Sequence, residues 1–295
     1  MNEPRTIVIT GASRGLGLAS ATYMYRRGWR VVAAMRSPEP GLAALRAKTG
    51  AAVDDSRLIA VPLDLTDSAS VTAAAKAIEA AVGAPHALVH NAGISAAGML
   101  EETPMELWER MFATAVFGPV RLTQALLPSM RAAGRGRIVV ISSQGGVRGM
   151  PEIAAYSAAK GAVERWAESL AGEVAPFGLG VTVVVAGTFD TDIITDAGTS
   201  DLRDFAGPYA ALHGKIDRRG RAAMRLARPP ERFANGLAKA LEDRAPFARH
   251  AVGVDARMLL IANRLLSSKA LHRVTRLAMG IPRPGALSSA SSKES

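Results

Sequence analysis

The chain of 295 residues contains no cysteine. That absence excludes disulfide staples, thiolate nucleophiles and cysteine-ligated zinc or iron–sulfur centres together. Long apolar runs are also missing, because a charge interrupts every candidate before the ~18–20 residues that a membrane span requires. No integral membrane segment is therefore expected. The opening MNEPRTIVIT lacks the basic start and extended apolar stretch of an export signal, so a cytoplasmic location is expected. The five histidines, at 86, 90, 213, 250 and 272, show no ligand spacing and predict no metal site. His213 is the one that can reach a substrate, although a surface role is the plainer reading.

What is present is the composition of a soluble globular protein, with 48% hydrophobic and 21% charged residues. The net charge of +10 is unevenly placed. Residues 1–200 hold 18 Lys and Arg against 18 Asp and Glu, whereas residues 201–295 hold 18 against 8. A cationic last third can attract nucleic acid, anionic lipid or an acidic substrate. The plainer reading is a solvated Arg-rich surface, and no nucleic-acid partner is expected.

From Arg5 to about residue 189, short β-rich runs alternate with longer helical patterns, the mark of βαβ units and a parallel sheet. The runs are TIVIT (6–10), RVVAAM (30–35), RLIAVPLDL (57–65), ALVHNAG (87–93), RIVVISS (137–143) and VTVVVAG (181–187). Most are apolar nearly throughout, which suits strands covered by helices on both faces. Helical spacing appears in Leu16–Arg27, Ala69–Val82, Glu106–Ala132 and Tyr156–Ala175. The expected fold is α/β, a doubly wound parallel sheet of Rossmann type, forming a single domain over residues 1–282. Residues 190–228 are too long and polar for an ordinary loop and read as a helical substrate lid. A C-terminal extension follows: a helix opened by Pro229-Pro230-Glu231, with either proline suited to its first turn, and running to about Leu241, a last strand near 250–256, and an amphipathic helix or pair over 257–279. Residues 283–295 read as a disordered tail.

The first strand runs into Thr10-Gly11-Ala12-Ser13-Arg14-Gly15-Leu16-Gly17 and then a helix. Glycines there permit a tight turn and close approach of phosphates to helix N-terminal amides, which marks a nucleotide site. Arg36 follows the second strand where NAD-selective sites carry an acid for the ribose 2′-hydroxyl. A cation there pairs with a 2′-phosphate, so Arg14 and Arg36 predict NADP(H) over NAD(H). Further on, Tyr156 and Lys160 share a helical face, and a nearby ammonium favours the phenolate. Ser142 and Ser143 end the preceding strand.

Together TGASRGLG, HNAG (90–93), ISS (141–143) and YSAAK (156–160) resemble the short-chain dehydrogenase/reductase family, closely over residues 5–190. The steroid- and retinol-type members and the ketoreductases are the nearest in kind. The resemblance implies that Tyr156 is the general acid or base, that Ser143 hydrogen-bonds the substrate oxygen, and that Lys160 holds the nicotinamide ribose while lowering the tyrosine pKa. It implies cofactor contacts from Gly11, Ser13, Arg14, Gly15, Leu16, Gly17 and Arg36. It adds the adenine-pocket pair Asp64 and Leu65, the segment Asn91, Ala92 and Gly93, and Thr188 and Thr191. A helix cap is the plainer reading of Asp64. Met99, Leu100, Gln144, Val147, Met150, Phe189 and Ile193 or Ile194 would line an apolar pocket.

Two departures stand out. The family's asparagine before the catalytic strand is Ala115 here, so slower or differently relayed proton transfer is expected. Its Pro-Gly after the sixth strand is Ala186-Gly187, which predicts a less rigid loop. The reading is an oxidoreductase passing a hydride between NADP(H) and a small hydrophobic ketone or secondary alcohol, as a homodimer or homotetramer. The alternative is a catalytically impaired NADP(H)-binding sensor or scaffold.

Overall fold

The structure, a computed structural model, describes residues 3–191 and 199–287. The first half of the chain forms β1 (Thr6–Thr10), α1 (Gly15–Arg26), β2 (Arg30–Met35), α2 (Pro38–Thr49), β3 (Leu58–Pro62), α3 (Ser68–Val82), β4 (Ala87–His90) and β5 (Ser95–Ala97). Next come α4 (Met105–Phe112), a π-turn at Ala113–Phe117, α5 (Gly118–Ala132), β6 (Gly136–Ser143), the short α6 (Gln144–Val147), α7 (Ala154–Val174) and β7 (Leu179–Ala186). The remainder gives β8 (Thr199–Asp201), α8 (Ala210–Met224), α9 (Pro230–Leu241), β9 (Phe247–Val252), α10 (Val254–Leu265) and α11 (Ser268–Met279).

Seven strands make one parallel sheet in the order β3-β2-β1-β4-β6-β7-β9, the doubly wound α/β arrangement expected. Side chains alternate across each strand. Val8, Val32, Leu88 and Val140 pack with Ile78, Leu122, Leu126 and Val163 of α3, α5 and α7. Ile7, Ile9, Val31 and Val139 face Met24, Leu45 and Phe233 of α1, α2 and α9. Burial on both faces is why the strands read as continuous apolar runs. With every strand parallel, the ends of β1, β4, β6 and β7 gather at one edge, and the chain order reverses between β1 and β4. Ligands bind at that kind of switch point.

Several elements differ from expectation. Helix α2, absent from the helical stretches read from the sequence, carries Pro38 and Pro40 near its start and Gly41 within it, residues that weaken a helical pattern. Proline is tolerated in a first turn, and a Cβ at Gly41 would strike the Met35 sulfur. The last strand ends at Val252 because Gly253, at φ 117°, turns the chain into α10. The helix predicted over 106–132 is divided by the π-turn. Of the tail expected to be disordered, residues 284–287 form a turn, and 288–295 lie outside the described residues, as do Ile193 and Ile194.

Candidate active site

The glycine turn is built by close approach. A Cβ on Gly17 would collide with the Gly11 carbonyl oxygen and lie 2.5 Å from Asn91 Nδ2. Only a bare glycine lets α1 seat against the end of β1. No side chain caps α1 and no acid occupies its first turn, so its leading amides are available to an anion. Asn91 locks the turn from the neighbouring strand end, its Nδ2 donating to the Thr10 carbonyl at 2.9 Å. The amides of Asn91 and Ala92 donate to Thr10 Oγ1 at 3.0 and 3.1 Å. These residues fit a dinucleotide's phosphates without rearrangement.

Ser143 ends β6, and Tyr156 and Lys160 project from the first turns of α7. Lys160 is buried and its Nζ donates to the Ile141 carbonyl at 2.6 Å. The same Nζ lies 5.8 Å from the Tyr156 ring centre, and a Cβ on Gly93 would be 3.8 Å from it. Burial pushes the Tyr156 phenol above its ordinary value, and a hydrogen bond with Ser143 pulls it down without overcoming that. The lowering by Lys160 expected from helical spacing is not among the influences on the phenol: burial sets the direction and only Ser143 opposes it. Burial also brings Lys160 down to about 8, with Glu164 opposing. Behind the trio, Ser142 Oγ donates to Glu164 Oε1 at 2.6 Å, and Glu164 pairs with Arg249 of β9.

Arg14 and Arg36 are exposed at the same edge as the glycine turn. Asp64 does not cap α3; Asp67 does, accepting from the Ala69 amide at 2.9 Å. Asp64 instead accepts from the Thr66 hydroxyl and amide at 2.7 and 2.9 Å, which lower its pKa, with a smaller contribution from Arg36. Leu65 is buried beside it. Thr191 lies over the glycine turn, its Cβ 3.5 Å from where a Gly15 Cβ would stand.

The loop after β7 is fastened rather than loose. The Thr188 amide donates to Asp255 Oδ2 at 2.6 Å, and Gln144 Nε2 donates to the same oxygen at 2.9 Å. The Gly187 amide donates to the Val252 carbonyl at 2.9 Å, and any Cβ at Gly187 would strike Asp255. The missing proline is thus replaced by a carboxylate from α10. Asp255 escaped sequence reasoning; its only signal is an acid opening a helix in an otherwise basic region.

Residues 5–201 match the short chain dehydrogenase family. The chain belongs to the short-chain dehydrogenase/reductase family. It is an NAD(P)-dependent oxidoreductase of that family. Among its relatives is a 3-ketodihydrosphingosine reductase of Bacteroides thetaiotaomicron, 36% identical over 70% of this chain and 72% of the relative. A short-chain dehydrogenase structure from Streptomyces avermitilis is 34% identical and superposes with a TM-score of 0.80 over 96% of this chain and all of that one. A family structure from Burkholderia phymatum in complex with NAD is 27% identical, with a TM-score of 0.73 over 89% of this chain and 92% of that one.

In this short-chain dehydrogenase/reductase, Ala115 takes the place of the family's asparagine inside the π-turn, and it is buried. A π-turn widens the helical ladder and leaves a carbonyl without its ordinary partner. That carbonyl belongs to the backbone, so alanine supplies it as well as asparagine would.

The described part of the segment expected to form a lid is anchored by a polar cluster whose members are remote from one another in sequence. His213 of α8 is fully buried, contrary to the expected surface role. Its Nδ1 lies 2.6 Å from Glu152 Oε1 and its Nε2 2.8 Å from Glu102 Oε1. Arg203 grips Asp201 through two hydrogen bonds of 2.7 and 2.6 Å and reaches Asp217 at 3.2 Å. Glu152, four residues before Tyr156, adopts a left-handed φ of 68°, a conformation costing about 1–3 kcal/mol for a residue with a Cβ. Strand β8 pairs with β5 beside this cluster. Of the expected pocket residues, Phe189 is core, 2% exposed against the Phe233 ring at 5.5 Å. Gln144 is committed to Asp255. Leu100 is 67% exposed, while Met99, Val147 and Met150 are half-buried near the catalytic end.

Proposed function

We propose that this enzyme prefers NADP(H) and interconverts a hydrophobic ketone and its secondary alcohol. The carrying observation is the Tyr156 phenol held under the influence of Ser143, with the Lys160 ammonium buried 5.8 Å from its ring. When bound, the nicotinamide supplies or accepts a hydride. Tyr156 gives its proton to the substrate oxygen as negative charge develops there, and Ser143 donates a hydrogen bond to the same atom. Lys160, braced on the Ile141 carbonyl, carries positive charge beside the phenol and binds the ribose. Arg14 and Arg36 hold the 2′-phosphate. Gly11, Ser13, Gly15, Leu16 and Gly17 receive the pyrophosphate side. Asp64 and Leu65 would take the adenine, Asn91, Ala92 and Gly93 would stand behind the cofactor, and Thr188 and Thr191 would contact its carboxamide and pyrophosphate.

Exposed Arg36, with no acid at the end of β2, supports NADP(H). Exchanging it for aspartate is expected to weaken NADPH at least ~10-fold and to improve NADH, since one good charged pair is worth about 1.5–3 kcal/mol; an unchanged ratio of affinities defeats the assignment. A keto group in the name of the Bacteroides relative and the apolar side chains of Leu100, Val147 and Met150 support a hydrophobic ketone. A screen of ketones at fixed NADPH tests it.

One observation favours a second reading, a cofactor-bound sensor without turnover: Ala115 lacks the amide that the family uses. NADPH consumption that disappears in Tyr156→Phe selects the enzyme, whereas binding without tyrosine-dependent consumption selects the sensor. We further propose a cytoplasmic homodimer or homotetramer, supported by the half-exposed Phe117 ring at the start of α5. Light scattering measures that assembly.

A further inference from the structure

We infer that the outward face of α10 is a docking surface for an anionic lipid bilayer. The face follows from spacing. Val254, Met258, Ile261 and Leu265 fall on one stripe of the helix and are 53%, 66%, 50% and 75% exposed. Ala256 and Leu260 on the other side make the packing contacts with the sheet layer. The stripe is thus additional to what holds the helix in place. Leu266 extends it beyond the helix end, and Val274 and Leu277 are exposed on α11.

Charge identifies the occupant. Between residues 254 and 287 stand Arg257, Arg264, Lys269, Arg273, Arg276 and Arg283 against a single acid, Asp255. Asp255 is turned inward onto Thr188 and Gln144, so it does not neutralise the face. Arg257 and Arg264 border the stripe on one side by helical geometry, and no described residue pairs with Arg257, Arg264, Lys269 or Arg273. A second copy of the chain would set arginine against arginine. The stripe has neither an aromatic anchor nor a hydrogen-bonding side chain, features that protein interfaces use for specificity. Apolar acyl chains under a negative headgroup layer match both halves of the pattern, with the arginine stems reaching up to the phosphates. Among the described residues no helix is long and apolar enough to cross a membrane, so the contact is made from one side.

Helix α10 also carries in its first turn Asp255, which fastens the loop after β7 to Gln144, next to Ser143. Docking therefore presents the catalytic end of the sheet to a surface where apolar ketones concentrate, a consequence that rests on the proposed substrate class.

Flotation of the full chain with phosphatidylcholine vesicles, with and without phosphatidylglycerol, tests the docking. The chain is expected to float with phosphatidylglycerol vesicles, less so in high salt, and poorly with phosphatidylcholine alone. Ile261→Glu with Leu265→Glu should reduce binding by at least ~10-fold, because charge in the acyl layer is costly, while NADPH turnover of a water-soluble ketone persists. Arg257→Glu with Arg264→Glu should abolish the preference for anionic vesicles. Absence of flotation by the native chain overturns the inference, whatever else binds the stripe. So does equal flotation of both variants, or a change only in oligomeric mass by light scattering, which assigns the stripe to a second copy. Vesicle binding without ketone turnover would instead overturn the substrate reading and leave the docking intact.

Discussion

Tyr156 sits between two opposing influences: burial, which disfavours its anion, and Ser143, which stabilises it. Burial wins, so at neutral pH the side chain is a proton donor, the form that carbonyl reduction requires. Alcohol oxidation requires the phenolate and should accelerate as pH rises above neutrality, while reduction stays nearly flat. Initial rates in both directions across pH decide this, and an oxidation rate independent of pH would contradict it. Tyr156→Phe is expected to lower turnover by about 10²–10⁴-fold, the usual span for a general acid, with cofactor affinity by fluorescence titration little changed. At Asp255 one carboxylate oxygen receives both the Thr188 amide and Gln144 Nε2. Asp255→Ala removes two hydrogen bonds to a charged group, each worth about 1.5–3 kcal/mol. It should raise KM for the cofactor severalfold, and Asp255→Asn, which keeps an acceptor, should recover part of the loss.

At the scale of elements, α8 is tied to the approach of α7 through His213. Burial opposes its charged form, but hydrogen bonds that its ring donates to Glu152 and Glu102 outweigh burial and raise its pKa. A raised folded-state value means that His213 contributes fully below the ordinary histidine pKa, and that its contribution is lost as pH climbs through the raised value. Glu102, lowered mainly by the Met99 amide and His213 against burial, contributes above the ordinary carboxylate pKa and loses that as pH falls through its depressed value. Glu152, raised by burial, opposes Glu102 at the acid end, and Arg203, Asp201 and Asp217 complete the charged groups facing the cluster. Hydrogen exchange in α8, corrected for intrinsic rate, should therefore quicken above the ordinary histidine range, and His213→Gln should remove that dependence. None of this was legible beforehand: Glu102, Glu152 and His213 are far apart in the chain, and they meet through the β5–β8 pairing together with the bridge from the Gly98 amide to the Glu152 carbonyl. The glycine turn, Ser143, Tyr156 and Lys160 were legible because strand–turn–helix periodicity places them locally. Helix α2 was not, since Pro38, Pro40 and Gly41 mimic a loop until Met35 is seen filling the space over Gly41.

Across the whole molecule, the sheet joins parts that are remote in sequence. Its central strands carry the cofactor-facing turns, and α1 and α9 pack against each other across one layer. A ligand seated on β1, β4, β6 and β7 at once should stabilise the fold as a unit. At about 100 times Kd, NADPH is expected to add about 2.7 kcal/mol to unfolding stability. Calorimetry should show a smaller increment from NADH at the same concentration, and equal increments would count against the roles of Arg14 and Arg36. The carboxylate of residue 255 also sets a schedule for synthesis. A nascent polypeptide that has released everything through residue 187 already holds its serine, phenol and ammonium. It still lacks the group that fixes the next loop, and it acquires that group only once the start of α10, beyond β9, has left the ribosome. Competence for turnover is thus withheld until synthesis has passed residue 255, and damage to α10 is felt as lost catalysis by a segment that touches no reacting atom.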